Sequence, residues 1–287
     1  LLAGGVRSAQ KLTIKRFFTD LFRERIPPKT LNRMIRNPRR VDTGVRRALL
    51  SYISCAAEFP VRTPRDEEGG SAVGEDFPPA ADTTVSTTFL CNLFASAILE
   101  HGGMVYAAGQ RRVDGCFGAP LLPEVDADTV LPAVRTALGC IGGEGSAARE
   151  LRVHYGISDP PRFAAGIYTG ESTVGYTGKR NLLGYRPLGP EAELAKKLRS
   201  FNGEYGTKVL ACENTVKNLS GSAGARPLDR VRDGRKSFRI YEILPLEDYR
   251  ENAEIFTLFT DALTLFEKKR WTEAHAQFLE VLKRRKG

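Results

Sequence analysis

The stretch Gly166–Gly206, GIYTGESTVGYTGKRNLLGYRPLGPEAELAKKLRSFNGEYG, changes period halfway. In its first half Ile167, Val174 and Leu182 are spaced among Gly166, Gly170, Gly175 and Gly178, as in a β-hairpin whose glycines supply positive φ or close backbone approach. From Glu191 on, Leu194, Lys197, Leu198 and Phe201 fall at helical spacing, an inward stripe with a lysine among its apolar positions. Gly203 and Gly206 are expected to end that helix, as C-terminal glycines do.

This stretch resembles the class III nucleotidyl cyclases, the adenylate and guanylate cyclase homology domains. Gly166-Ile167-Tyr168-Thr169-Gly170-Glu171, Gly175, Gly178, Tyr185, Gly189, Leu194-Ala195, Leu198 and Glu204-Tyr205-Gly206-Thr207 fit the family pattern without a gap. His101-Gly102-Gly103-Met104-Val105 through Phe117-Gly118-Ala119-Pro120 fits a second family motif. The resemblance implies an α+β, ferredoxin-like domain with a central, mainly antiparallel sheet flanked by helices. An N-terminal linker helix and a C-terminal helical hairpin would be added to it.

At 287 residues, with 41% hydrophobic and 27% charged, the chain has ample core for one large domain or two small ones and is not disordered. No run of eighteen apolar residues exists, so a complete membrane span is not expected. The net charge of +9 is concentrated at one end: residues 1–50 hold thirteen Lys or Arg against three Asp or Glu. That concentration fits either a juxtamembrane segment facing anionic lipid or a solvated helix face. No nucleic-acid motif accompanies it, and no nucleic-acid partner is expected. Cys55, Cys91, Cys116, Cys140 and Cys212 lack metal or disulfide spacing and read as buried thiols. His101, His154 and His275 are too scattered in sequence for a triad.

Three units are expected: basic linker helices over 1–45, a cyclase homology domain over 46–246 with a flexible loop at 61–86, and a tetratricopeptide-like hairpin over 247–287. The apolar stripe of 6–26 and Pro27-Pro28 to Pro38 mark two linker helices, an order that resembles membrane-bound cyclases. Residues 46–55 read as a central strand, 88–101 as a helix, 104–120 as strand-turn-strand and 126–140 as a helix. Leu151–Tyr155 reads as a strand, 208–211 as another, 213–219 as a short helix, 220–234 as a polar loop and 237–244 as the last strand. Residues 251–269 and 272–284 read as the hairpin, which must dock on its own domain or on a protein partner.

The family closes a ribose 3′-oxygen onto the α-phosphate of a nucleoside triphosphate, using two metal ions held by two aspartates. Lys and Asp or Thr read the purine, Asn orients the ribose and Arg stabilises the transition state. By the resemblance these roles fall here on residues that depart from the family's, with Lys197 keeping the positive charge but not the planar fork. The first metal aspartate falls at Cys55, with Ser54 as the alternative, and the second at Arg111. The purine readers fall at Ala107 and Arg186, the ribose Asn at Glu193 and the transition-state Arg at Lys197. Asp114, three residues from Arg111, is the best substitute, but strand alternation points it to the opposite face.

The expectation is a pseudo-cyclase with a regulatory or scaffold role, with no intact catalytic residue, no metal site and no cofactor. Arg111, Arg186 and Lys197 remain as anion-binding candidates. The alternative is an active adenylate cyclase of divergent chemistry, which would need ATP with Mg2+ or Mn2+. A homodimer through the cyclase interface, and a place on the cytoplasmic face of a membrane within a longer membrane protein, complete the reading. An anionic membrane surface near the N-terminus is the lipid partner it implies.

Overall fold

The computed structural model describes residues 12–13, 15–22, 24–38, 45–59, 80–109, 111–120, 128–157, 159–177, 184–234 and 236–285. A helical segment at 15–22 precedes helix α1 (Pro28–Arg36), strand β1 (Arg46–Glu58) and helix α2 (Ala80–Glu100). Strands β2 (Met104–Gly109) and β3 (Arg112–Phe117) follow, then helices α3 (Val130–Gly142) and α4 (Glu144–Tyr155). The stretch Gly166–Gly206 supplies most of β4 (Arg162–Thr177) and all of β5 (Gly184–Pro187) and α5 (Glu191–Tyr205). Strand β6 (Val209–Cys212), helix α6 (Glu213–Lys217) and strands β7 (Gly224–Asp233) and β8 (Lys236–Leu244) complete the sheet. Helices α7 (Leu246–Glu251), α8 (Ala253–Glu267) and α9 (Trp271–Arg285) end the chain.

The eight strands form one sheet in the order β2-β3-β1-β4-β6-β8-β7, with β5 hydrogen-bonded to β4. Every pairing is antiparallel except β4 with β6, which the crossover helix α5 connects. β1 and β4 are the backbone of the fold, paired without a break from Arg46 opposite Val174 to Glu58 opposite Arg162. The mixed α+β architecture expected from the sequence is the one observed.

Two apolar layers cover the sheet. On one face Ile53, Cys55, Ala57, Val113, Phe163 and Ile167 pack against Phe94 and Ile98 of α2 and Val134 of α3. On the other face Leu50, Tyr52, Met104, Val174 and Tyr185 meet Ala192 and Ala195 of α5. The linker packs on this second face through Phe18, Phe22, Ile26 and Met34, and the Arg25 carbonyl accepts a 2.8 Å hydrogen bond from the Val105 N–H. Four of the cysteines are buried and Cys91 is half-buried. None of the described helices is long and apolar enough to cross a membrane.

Several local expectations are corrected. Leu151–Tyr155 is not a strand but the last turns of α4, because Ala147 and Leu151 bury at a spacing of four while Val153 stays exposed; Gly156 at φ 66° caps the helix. Residues 224–233 are not loop but edge strand β7, whose polar composition and Pro227 beside an irregularity suit a sheet edge. The expected loop 61–86 is helical over 80–86, where α2 begins, and 61–79 lie outside the described residues. Gly203 lies inside α5, and Gly206 at φ 65° is the cap. Residues 1–11, Gly178 and Leu182 also lie outside the described residues.

Candidate functional site

A single row of residues across four strands organises the second face of the sheet. Ala107 on β2 stands opposite Asp114 on β3, Asp114 opposite Ser54 on β1, and Ser54 opposite Gly166 on β4. Paired residues share a face, so these four positions point the same way. Gly166 is where α5 presses on the sheet: a Cβ there would lie 2.2 Å from the Ala195 carbonyl and 2.3 Å from the Arg199 N–H nitrogen. Asn202 locks the contact, donating to the Ala165 carbonyl at 3.0 Å and accepting from Thr207 Oγ1 at 2.9 Å. α5 is thereby held with Lys196 over the row.

Asp114 is the charged centre of this arrangement, and its side chain is 1% exposed. Ser54 Oγ donates to its Oδ1 at 2.7 Å. Its Oδ2 lies 3.2 Å from Arg112 Nε and 3.7 Å from Lys196 Nζ, ion pairs without a hydrogen bond of good geometry. Lys196 also donates to Glu193 at 2.7 Å. Positive and negative groups thus alternate from Arg112 through Asp114 and Lys196 to Glu193, and the carboxylate is neutralised from within the chain. Beside it, the Tyr106 hydroxyl is buried without a hydrogen-bond partner; burial first, and then the nearby Asp114 charge, hold its pKa far above the usual phenol range.

The residues singled out from the sequence do not form one cleft within the chain. Cys55 sits one position from Ser54 and therefore on the opposite face, in the apolar layer under α2 and α3. A hydrogen bond to Cys140 and burial both raise its pKa, so it is an inert thiol there. Of the two candidates for the first metal position, Ser54 is the one in the row with Ala107 and Asp114. Arg111 occupies the β2–β3 turn at φ 59°, its carbonyl accepting from the Ala57 N–H and its guanidinium 4.5 Å from the Phe59 ring centre. Arg186 lies on β5 opposite Gly175, and its side chain is exposed. Lys197, expected within the inward stripe of α5, instead reaches outward to pair with Asp233 of β7. The inward positions of that helix are Ala192, Leu194, Ala195, Leu198 and Asn202.

Sequence reasoning missed Arg112 and Lys196. Period-two alternation from Asp114 marks Arg112 as its neighbour on the same face. Lys196 carried no such signal, because its partner lies far away in sequence.

A divalent cation does not fit the residues present. The row offers one carboxylate, already flanked by two cations, and the acid nearest to it in this charge chain, Glu193, is bridged to it by the Lys196 ammonium. Among the described residues no group of three or more His, Cys, Asp or Glu could hold a metal. Hard cations need several oxygen ligands, and an ammonium and a guanidinium repel them.

The architecture matches solved cyclase domains. The guanylyl cyclase Cya2 superposes with a TM-score of 0.56 at 18% identity, covering 71% of this chain and 99% of that one. The adenylyl cyclase CyaB from P. aeruginosa gives 0.56 at 19% identity, with 70% and 95% covered. A bacterial light-regulated adenylyl cyclase gives 0.56 at 13%, with 84% and 62% covered. The fold is that of the class III cyclases. In sequence, adenylate cyclase 1 of Rhizobium meliloti (strain 1021) is 29% identical over 160 residues. That match takes in 53% of this chain and 23% of the relative's length. No family model matches the sequence. Within the cyclase fold, the row from Ala107 to Gly166 lies on the face that carries α5, and Asp114 is the carboxylate it buries.

Proposed function

We propose that this chain is a cyclase-like signalling domain that has lost two-metal chemistry and serves as a regulatory or scaffold element. One observation carries the reading: the acid in the site row, Asp114, is closed off by Ser54, Arg112 and Lys196. With Arg111 in the turn where an aspartate would stand, the attacking oxygen and the α-phosphate would have no metal to stabilise them. The anion-binding role drawn from Arg111 and Lys197 has little support, since each is already engaged, by Phe59 and by Asp233.

The competing reading is an active adenylate cyclase, and the sequence similarity to adenylate cyclase 1 favours it. The purified chain, incubated with ATP and Mg2+ or Mn2+, is expected to form no cyclic AMP above the protein-free rate. Metal-dependent formation that falls when Asp114→Asn and Lys197→Ala are introduced would establish the competing reading instead.

A homodimer is part of the proposal. A guanylyl cyclase domain of similar fold, that of the RhoGC fusion protein, is described as a non-canonical dimer. Sedimentation equilibrium is expected to return twice the 31.6 kDa chain mass, and a monomer at all concentrations would remove this part. The cytoplasmic face of a membrane is the proposed location, supported by the basic charge of residues 1–50.

A further inference from the structure

The C-terminal hairpin is amphipathic on both sides, and only one side is used. Helix α8 docks on its own domain: Phe259 joins the cluster of Leu198, Leu228 and Ile240, and Arg226 of β7 lies over the Phe256 and Phe259 rings. Helix α9 packs on α8 through Ala274, Val281 and the Phe278–Phe259 ring contact. One flank of its outer side nonetheless carries large apolar residues, with the exposed His275 among them. Trp271 is 55% exposed, Leu279 45% and Leu282 54%, all within an arc of about 100° at 3.6 residues per turn. Phe266, also exposed, stands edge-on to Trp271 at 5.0 Å and extends the stripe across the turn.

Charge decides what can cover it. Between Glu267 and Gly287 there are seven Lys or Arg and three Glu, and the basic residues gather at the two ends, 268–270 and 283–286. Lys268, Lys269 and Arg270 are exposed in the turn before α9. Arg270 pairs with Glu273, and at the far end Lys283 and Arg284 pair with Glu280, so Lys268 and Lys269 are the chief basic groups of this face. A second copy of α9 laid antiparallel would set one basic end against the other, and a parallel copy would set like against like. Both arrangements cost free energy. An anionic surface has no such conflict. A helix with Trp and Leu between two basic clusters matches the composition of segments that lie in a bilayer interface.

We infer that the outer face of α9, with Phe266, docks flat on an anionic lipid surface. The apolar stripe enters the headgroup region, and Lys268 and Lys269 of the turn sit at the phosphates. This holds whether or not the chain cyclises a nucleotide.

Trp271 is the protein's single tryptophan, so its emission reports on this face alone. The full chain is mixed with phosphatidylcholine vesicles, and separately with vesicles containing about one-third phosphatidylserine. The expected result is cosedimentation and a blue-shifted Trp271 emission with the anionic vesicles only. Leu279→Ala with Leu282→Ala should weaken binding at least about tenfold, because two buried leucines are lost. Lys268→Gln with Lys269→Gln should weaken it while leaving the stripe intact. These positions are exposed, so circular dichroism should be unchanged. Three results would overturn the inference. One is no emission shift with either vesicle. Another is cosedimentation with unshifted emission, which assigns lipid binding to the basic N-terminal segment. The third is dimers that the leucine double variant dissociates without any vesicle-dependent shift, which assigns the stripe to a second copy or another protein.

Discussion

Gly166→Ala is expected to destabilise the fold by more than about 3 kcal/mol, beyond the usual cost of one extra methyl group in a core. The new Cβ would fall 2.2 Å from the Ala195 carbonyl oxygen and 2.3 Å from the Arg199 nitrogen. Both are backbone atoms in the middle of α5, so no side chain can swing aside. Relief requires lifting α5 from β4, which breaks the Asn202–Ala165 hydrogen bond and opens the layer that holds Ala192 and Ala195. Thermal unfolding should drop by at least about 6 °C, given a few degrees per kcal/mol in a domain of this size. Gly203→Ala is the control on the same helix. It meets no atom within 4 Å and should raise stability by about 0.5–1 kcal/mol through helix propensity. Equal melting temperatures for Gly166→Ala and the parent chain would mean that α5 does not press on β4 at this point.

The role of Gly166 shows how the fold could be read from the chain. Its neighbours Ile167 and Thr169 alternate as strand residues, and the change to helical spacing at Glu191 is sharp, so strand, turn and helix were legible in order. The sequence left open whether Gly166 turned the chain or admitted a neighbour. Only the crossing of α5 decides that it admits one. The two misread segments failed for a shared physical reason. Leu151–Tyr155 contains a short alternation, but the partner of Leu151 is Ala147, before the window. Residues 224–233 carry a Pro, a Gly and several charges because β7 is a sheet edge, and composition alone cannot tell an edge strand from a loop.

The site was legible as a set of departures rather than as a constellation. Family spacing put the second metal position at Arg111, which lies in the β2–β3 turn. It could not choose between Ser54 and Cys55, since one residue of slip reverses the face. Pairing with β3 gives only the face each one takes: Ser54 stands opposite Asp114, and Cys55 stands opposite Val113 in the apolar layer. Strand alternation does not extend from Asp114 to Arg111, because Arg111 is a turn residue at φ 59° before β3 begins. What no spacing rule supplied was Lys196, which comes from a different element and makes the acid self-contained.

That closure yields a reversal of sign. Arg112→Ala and Lys196→Ala should each cost only about 1 kcal/mol, because the other cation remains and both side chains are partly exposed. Together they should cost about 3 kcal/mol, more than their sum, since they leave a buried carboxylate facing Ser54 alone. Asp114→Asn in the parent chain should destabilise by about 1–2 kcal/mol, as two cations lose their partner while the Ser54 contact survives. In the Arg112→Ala, Lys196→Ala background the same Asp114→Asn change should stabilise, because it removes the charge that has nothing to pair with. Denaturant unfolding of all combinations measures these terms directly. A destabilising Asp114→Asn in both backgrounds would show that the two cations do not neutralise this acid. A divalent ion that protects the double variant against unfolding, and not the parent chain, would show what they keep out.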